Sequence, residues 1–167
     1  MTSPQPGDFA VVSAGGPAGL AVRWAERLIL EAGPYAAYQH AFIYLGEGVI
    51  IQAEPKGATY GQLTAHASTL WSTGKFALDD VQRDAICDAA RGYVGTPYSA
   101  LDYVAIALHH WRIPVPGLKT FIKATGHMIC SQLCDRVYQD AGVQIFNDHR
   151  WNGYVTPAAL AKRLETM

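Results

Sequence analysis

The stretch His40-Ala41-Phe42-Ile43-Tyr44-Leu45-Gly46-Glu47-Gly48-Val49-Ile50-Ile51-Gln52-Ala53 holds two β-rich runs, His40 to Leu45 and Val49 to Ala53, on either side of Gly46-Glu47-Gly48. Two apolar, β-branched or aromatic runs of this length meeting at a Gly-x-Gly turn read as an antiparallel hairpin. Its pleat sends His40, Phe42 and Tyr44 to one face. Folding back at the turn brings position 52 roughly opposite position 40. Glu54 is read as one position off the His40-facing pleat, so Gln52 is the preferred partner for His40.

Outward from the hairpin, the chain reads as a strand at Phe9 to Val12 after Pro6-Gly7-Asp8, closed by Gly15-Gly16-Pro17. A helix follows from Ala18 to Ala32, with Leu20, Trp24 and Leu28 at helical spacing and Gly33-Pro34 as its stop. Two weaker strands are expected around Ala58 to Leu63 and Thr69 to Phe76. Asp79 caps a helix to about Val94, whose apolar positions Val81, Ala85, Ile86, Ala89 and Ala90 lie on one side. Gly95-Thr96-Pro97 breaks it. Ser99 to His110, Ile129 to Ala141 and Pro157 to Leu164 are further helices, with Pro114-Val115-Pro116-Gly117 a loop. Strand, helix, a block of strands and then helices is an α+β pattern, and residues 1–167 read as a single domain with a small antiparallel sheet or partial barrel packed on helices.

The composition narrows the function classes. Among 167 residues, 13 Lys plus Arg stand against 14 Asp plus Glu, which argues against a nucleic-acid partner, since that needs a basic surface. Charged residues are 16% and hydrophobic ones 50%, against roughly 25% charged in an average soluble domain. The low charge is compatible with self-association as a homo-oligomer or with an apolar substrate. The most apolar run, Tyr93 to Trp111, is interrupted by Gly95-Thr96-Pro97 and Asp102, so no membrane span is expected. Met1 to Asp8 lacks a basic segment before an apolar one, so no signal peptide is read and a cytoplasmic location is expected. Three cysteines, Cys87, Cys130 and Cys134, have no disulfide-framework spacing and fit a reducing compartment.

One of these thiols stands apart. Cys130 opens a helix, where the unpaired backbone N–H groups and the positive end of the dipole favour a thiolate. A nucleophilic thiolate needs a neighbouring base, and that base needs a third group to fix its ring. Spacing allows Cys130, His40 and Gln52 to play these parts, although it cannot by itself bring Cys130 close. Each has a plainer reading: Cys130 as an ordinary buried thiol, Cys134 and Cys87 as core. A metal or redox pair of Cys130 with Cys134 is the alternative for the second thiol, and a core thiol satisfies that position more simply. His127, three residues before Cys130, is the rival base. His109-His110 and His149 read as surface or helix-end histidines.

The same segments resemble a known family. Cys130-Ser131-Gln132-Leu133-Cys134-Asp135-Arg136-Val137-Tyr138-Gln139-Asp140-Ala141-Gly142 is similar to the nucleophile helix of NlpC/P60 cysteine peptidases, with the Cys, Ser, Leu, Tyr, Ala and Gly in register. His40 to Ala53 resembles that family's H-V-G-I-Y-[LI]-G-x-G-x-x-I-H-A hairpin. Pro6-Gly7-Asp8-Phe9 resembles its P-G-D-L strand opening, and Gly95-Thr96-Pro97-Tyr98 its G-T-P-Y. The usual order is G-T-P-Y, Cys, P-G-D, His; here it is P-G-D, His, G-T-P-Y, Cys. The chain therefore resembles the circularly permuted members, the YiiX/YebB-like and lecithin:retinol acyltransferase-like group.

The resemblance implies a permuted papain-like fold and a thiol-dependent hydrolase or acyltransferase acting on an amide or ester, foremost a peptidase or amidase. It makes Cys130 the nucleophile, His40 the base and Gln52 the third residue, with Tyr98, Ile129, Ser131 and Gln132 around the oxyanion and substrate groove. It implies a small peptide or acyl substrate and no metal or organic cofactor. A lipid acyl hydrolase or acyltransferase, and a non-catalytic binding member, are the alternatives. Ile129 stands where many muropeptide-cleaving members carry an aspartate, Gln132 replaces a small glycine, and Gln52 replaces the usual histidine. Glutamine orients an imidazole but brings no charge.

Overall fold

The computed structural model describes residues 3–13, 33–63, 69–98, 128–148 and 154–167. The expected helices Ala18 to Ala32 and Ser99 to His110, the loop at 114–117, and His109, His110, His127 and His149 lie outside the described residues.

Five strands form one antiparallel sheet: β1 (Phe9–Val12), β2 (His40–Gly46), β3 (Val49–Glu54), β4 (Gly57–Gln62) and β5 (Thr69–Trp71), in the spatial order β4-β3-β2-β1-β5. A short 3-10 helix, Gly33–Ala37, leads into β2. Among the described residues the α-helices are α1 (Asp80–Gly92), α2 (Cys130–Asp140) and α3 (Pro157–Glu165). Strands followed by helices around one antiparallel sheet make a mixed α+β architecture.

Local chemistry sets most element ends. Asp79 Oδ1 accepts from the Gln82 N–H at 2.7 Å while Gln82 Oε1 accepts from the Asp79 N–H at 3.2 Å, a reciprocal cap that starts α1. Thr156 Oγ1 accepts from the Ala159 N–H at 3.1 Å and Pro157 occupies the first turn of α3. The fifth strand is shorter than the expected Thr69 to Phe76. Ser72 ends it: its backbone N–H still donates to the Phe9 carbonyl and its Oγ accepts from the Phe9 N–H, both at 2.9 Å. Its carbonyl then turns the chain by accepting from Lys75 N–H at 2.9 Å.

Between β2 and β3 the turn residues Glu47 and Gly48 both have positive φ, 52° and 78°, as a primed hairpin turn requires. The ladder pairs Gly46 with Val49 and then Tyr44 with Ile50, so Leu45 is an extra residue, a β-bulge. Beyond it Phe42 pairs with Gln52. Position 52 therefore lies opposite 42, not 40 as the sequence suggested, because the bulge and the two-residue turn together set the offset.

The two sheet faces are both apolar. On one, Phe9, Val11, Ala41, Ile43, Ile51 and Ala53 pack with Ile86 and Ala90 of α1, Leu133, Cys134, Val137 and Tyr138 of α2, and Leu160 and Leu164 of α3. The Tyr138 ring stands edge-on to Phe9 and Phe76, at centroid distances of 5.2 and 5.5 Å. Such pairs add about 0.5–1.5 kcal/mol beyond their buried area. On the other face, Ala10, Val12, Phe42 and Ile50 are fully buried, with Trp71 edge-on to Phe42 and Tyr44.

Asp8 anchors the entry to β1. It is 1% exposed, pairs with Arg83 at 3.0 Å, and accepts from the Gln5 N–H and the Thr73 hydroxyl at 2.9 and 2.8 Å. A buried carboxylate with a cation and two further donors has its desolvation offset. Asp8 thus ties β1, α1 and the turn after β5 together. Among the described residues no helix is long and apolar enough to cross a membrane.

Candidate functional site

The first residue of β2 meets a glutamine from β3. His40 Nε2 lies 2.8 Å from Gln52 Oε1, and Gln52 Nε2 donates to Glu54 Oε1, also at 2.8 Å. An amide oxygen only accepts, so the hydrogen of this bond is carried by His40 Nε2, which leaves Nδ1 as the unprotonated, basic nitrogen of the ring. Register explains the reach. Gln52 opposes Phe42, so His40 is its diagonal neighbour on the same face, within range of a long side chain.

The assignment of Glu54 off this pleat is corrected by the structure. Side chains alternate along a strand, so residues 52 and 54 share a face, and their side chains are bonded to each other. Gly61 of β4, which pairs with Ile50, makes the space for this arrangement. A Cβ built there would stand 2.8 Å from Gln52 Nε2 and 3.2 Å from Ile50 Cγ1.

Burial is the largest influence on His40 and lowers its pKa below the ordinary 6.5; the Gln52 hydrogen bond and the Glu54 charge act against it, favouring the proton. The net direction is downward, so the resting imidazole at neutral pH is neutral.

Cys130 is the first residue of α2 and is 2% exposed. Ile129 precedes it in extended conformation and has no side-chain acceptor to cap the helix; instead Gln132 Oε1 reaches back to the Ile129 N–H at 3.1 Å. Gln132 thus supplies half of a capping box. Ser131 donates its hydroxyl to the Val155 carbonyl at 2.8 Å. Ile129 and Ser131 are completely buried and Gln132 nearly so. Ile129 and Ser131 are thus held within the packed start of the helix on either side of Cys130.

The Gly95-Thr96-Pro97-Tyr98 segment joins the sheet to that helix start. Ala58 N–H donates to the Thr96 carbonyl and Gly95 N–H to the Ala58 carbonyl, each at 2.8 Å, and Met128 N–H donates to the Pro97 carbonyl at 3.1 Å. Tyr98 forms a parallel bridge with Met128 and is partly buried against the core. Gly57 permits the docking, since a Cβ there would come within 2.8 Å of the Thr96 carbonyl oxygen. Gly57 pairs with Glu54. The Cys130 end of α2 is consequently pinned to the end of the sheet where β3 stops and β4 starts, which is also where His40 opens β2. Helix α2 packs on the face of Ala41 and Ile43, whereas His40, Gln52 and Glu54 belong to the face of Phe42.

The other two thiols are core. Cys134 is fully buried, and burial first, then the nearby Cys130 and Asp135, raise its pKa well above the ordinary value. Cys87 on α1 is shifted upward, chiefly by burial. Both are disfavoured as thiolates. No cluster of three or more His, Cys, Asp or Glu able to hold a metal ion occurs among the described residues.

Sequence reasoning weighed Glu54 and set it aside, and it did not single out Gly61. Alternation from Gln52 was the signal for Glu54; Gly61 carried none, because its meaning depends on which side chain lies across it. Compared with known proteins, the chain matches no family model and no curated protein.

Proposed function

We propose that the chain is a cysteine hydrolase of the permuted NlpC/P60 type, cleaving an amide through a thioester on Cys130. The observation that supports it most is the 2.8 Å bond between His40 Nε2 and Gln52 Oε1, which orients a neutral imidazole with Nδ1 as its basic nitrogen, the arrangement a general base for a thiol needs. Cys130 stands at a helix start pinned to the sheet end where that histidine opens its strand.

In this reading His40 Nδ1 takes the Cys130 proton as the sulfur adds to the substrate carbonyl carbon. The oxyanion is held by the Cys130 backbone N–H together with Tyr98 or a neighbouring donor. Collapse breaks the C–N bond, and His40 returns the proton to the leaving amine. Water then adds to the thioester with His40 as base, releasing the acid and restoring the thiol. An acceptor other than water would make the same chemistry a transfer.

The test is to profile the protein against fluorogenic peptide amides and fatty-acyl esters, with Cys130→Ser as the blank, and to map iodoacetamide adducts at pH 6 by mass spectrometry. Peptide turnover lost in Cys130→Ser supports the reading. Retention above about a hundredth of the wild-type rate overturns the nucleophile, since loss of a covalent nucleophile costs several orders of magnitude. Preference for acyl esters reassigns the substrate class and leaves the nucleophile in place. The reading also expects the Cys130 sulfur within about 4 Å of a His40 ring nitrogen in a crystal structure, and a separation beyond about 8 Å counts against the site.

A further inference from the structure

We infer that Glu54 is a positioning residue that sets the tautomer of His40 through the amide of Gln52. The inference rests on the reading of His40 as the base. A glutamine amide can present either end to an imidazole, and the two orientations have opposite consequences. With its oxygen toward His40 it selects the Nε2–H ring and a basic Nδ1. With its NH2 group toward His40 it selects the Nδ1–H ring, and the proton acceptor is lost.

The shape of the amide does not choose between them, because oxygen and nitrogen occupy nearly the same space. Glu54 chooses. Its carboxylate lies 2.8 Å from the far end of the amide, where an NH2 group donates but a carbonyl oxygen would meet like charge. The donor end is therefore held at Glu54 and the acceptor end at His40. Gly61 leaves room for the amide, since a Cβ there would stand 2.8 Å from Gln52 Nε2. The neutral glutamine at position 52 thus works with a carboxylate two residues further along the strand, which holds the donor end of the amide and whose charge also favours the proton on the imidazole.

The experiment labels histidine with nitrogen-15 in the full chain and reads the tautomer of His40 from its ring shifts, assigned by their absence in His40→Gln. Wild type, Glu54→Ala, Glu54→Asp and Gln52→Ala are compared, and the rate of Cys130 alkylation is measured on the same samples. The expected result is an Nε2–H ring in wild type, a mixed or Nδ1–H ring in Glu54→Ala and Gln52→Ala, and alkylation slower by about 10- to 100-fold, as for other orienting partners of histidine. Glu54→Asp restores part of both. If Glu54→Ala keeps the wild-type tautomer while Gln52→Ala loses it, the inference is overturned and His40 remains the base. If alkylation is unchanged even in His40→Gln, the reading of His40 as the base of Cys130 fails, and the ring shifts still decide the part played by Glu54.

Discussion

The Tyr138 hydroxyl donates to the Gly7 carbonyl across 2.8 Å, joining residues 131 apart in the chain. This one bond fastens α2 to the turn that opens β1, and the same hydroxyl lies 3.5 Å from Ser72 Oγ at the end of β5. Both the tyrosine of the nucleophile-like helix and the Pro-Gly-Asp turn therefore serve the docking of helix on sheet. Burial raises the Tyr138 pKa far above the usual phenol value, so it stays a donor.

Removing that hydroxyl leaves a buried carbonyl without its partner. Tyr138→Phe is expected to lower stability by about 1–3 kcal/mol, read as a lower denaturant midpoint with an unchanged slope. A midpoint equal to wild type overturns the assignment of the bond as structural.

His40 has a lowered pKa in the folded protein because burial disfavours its charged form. The unfolded chain takes up the proton near 6.5, its ordinary value, while the folded chain resists until lower pH. Stability is therefore expected to be full above that value and to decline as pH falls through 6.5 toward the folded pKa. Denaturation midpoints at pH 7.5, 6.5 and 5.5 are expected to fall more steeply for wild type than for His40→Gln. Parallel slopes contradict the assignment.

Replacing the amide by a carboxylate is not an improvement in this setting. Gln52→Glu places a second carboxylate at hydrogen-bond distance from Glu54, where the 2.8 Å contact now exists. Like charges raise the pKa of one member, so the folded state is penalised once pH exceeds the ordinary glutamate range. The variant is expected to be less stable than wild type at pH 8, with the gap narrowing toward pH 5. A constant gap across that range shows that the two side chains no longer meet.

Gly61 is expected to matter for the site more than for the fold. Gly61→Ala brings a methyl group into the space of Gln52 Nε2, whereas glycine in a strand interior is otherwise a weak choice. The measurement is Cys130 alkylation beside thermal stability. Alkylation is expected to slow toward the Gln52→Ala level while the melting temperature changes little. An unchanged alkylation rate means that the Gln52 amide finds another route to His40.

The Asp79–Gln82 cap, the positive-φ turn at Glu47-Gly48, the Thr156-Pro157 start of α3 and the apolar alternation of β2 and β3 were all determined by the sequence itself. Each is a contest among groups a few residues apart, settled by hydrogen bonds and sterics that neighbours supply. The pairing of His40 with Gln52 was legible as a shared face but not as a register. Without the extra residue at Leu45, the turn at Glu47-Gly48 would set Gln52 opposite Ile43, on the helix-packed face, because a shift of one residue reverses the face of every side chain. Only the packed sheet decided for the bulge, since both β2 and β3 must bury Ile43 and Ile51 beneath α2 and Phe42 and Ile50 on the other side. The partners of Asp8 and Tyr138 were decided the same way. They lie 75 and 131 residues away, and a bond between groups that distant forms only where the burial of apolar surface has already brought their elements together.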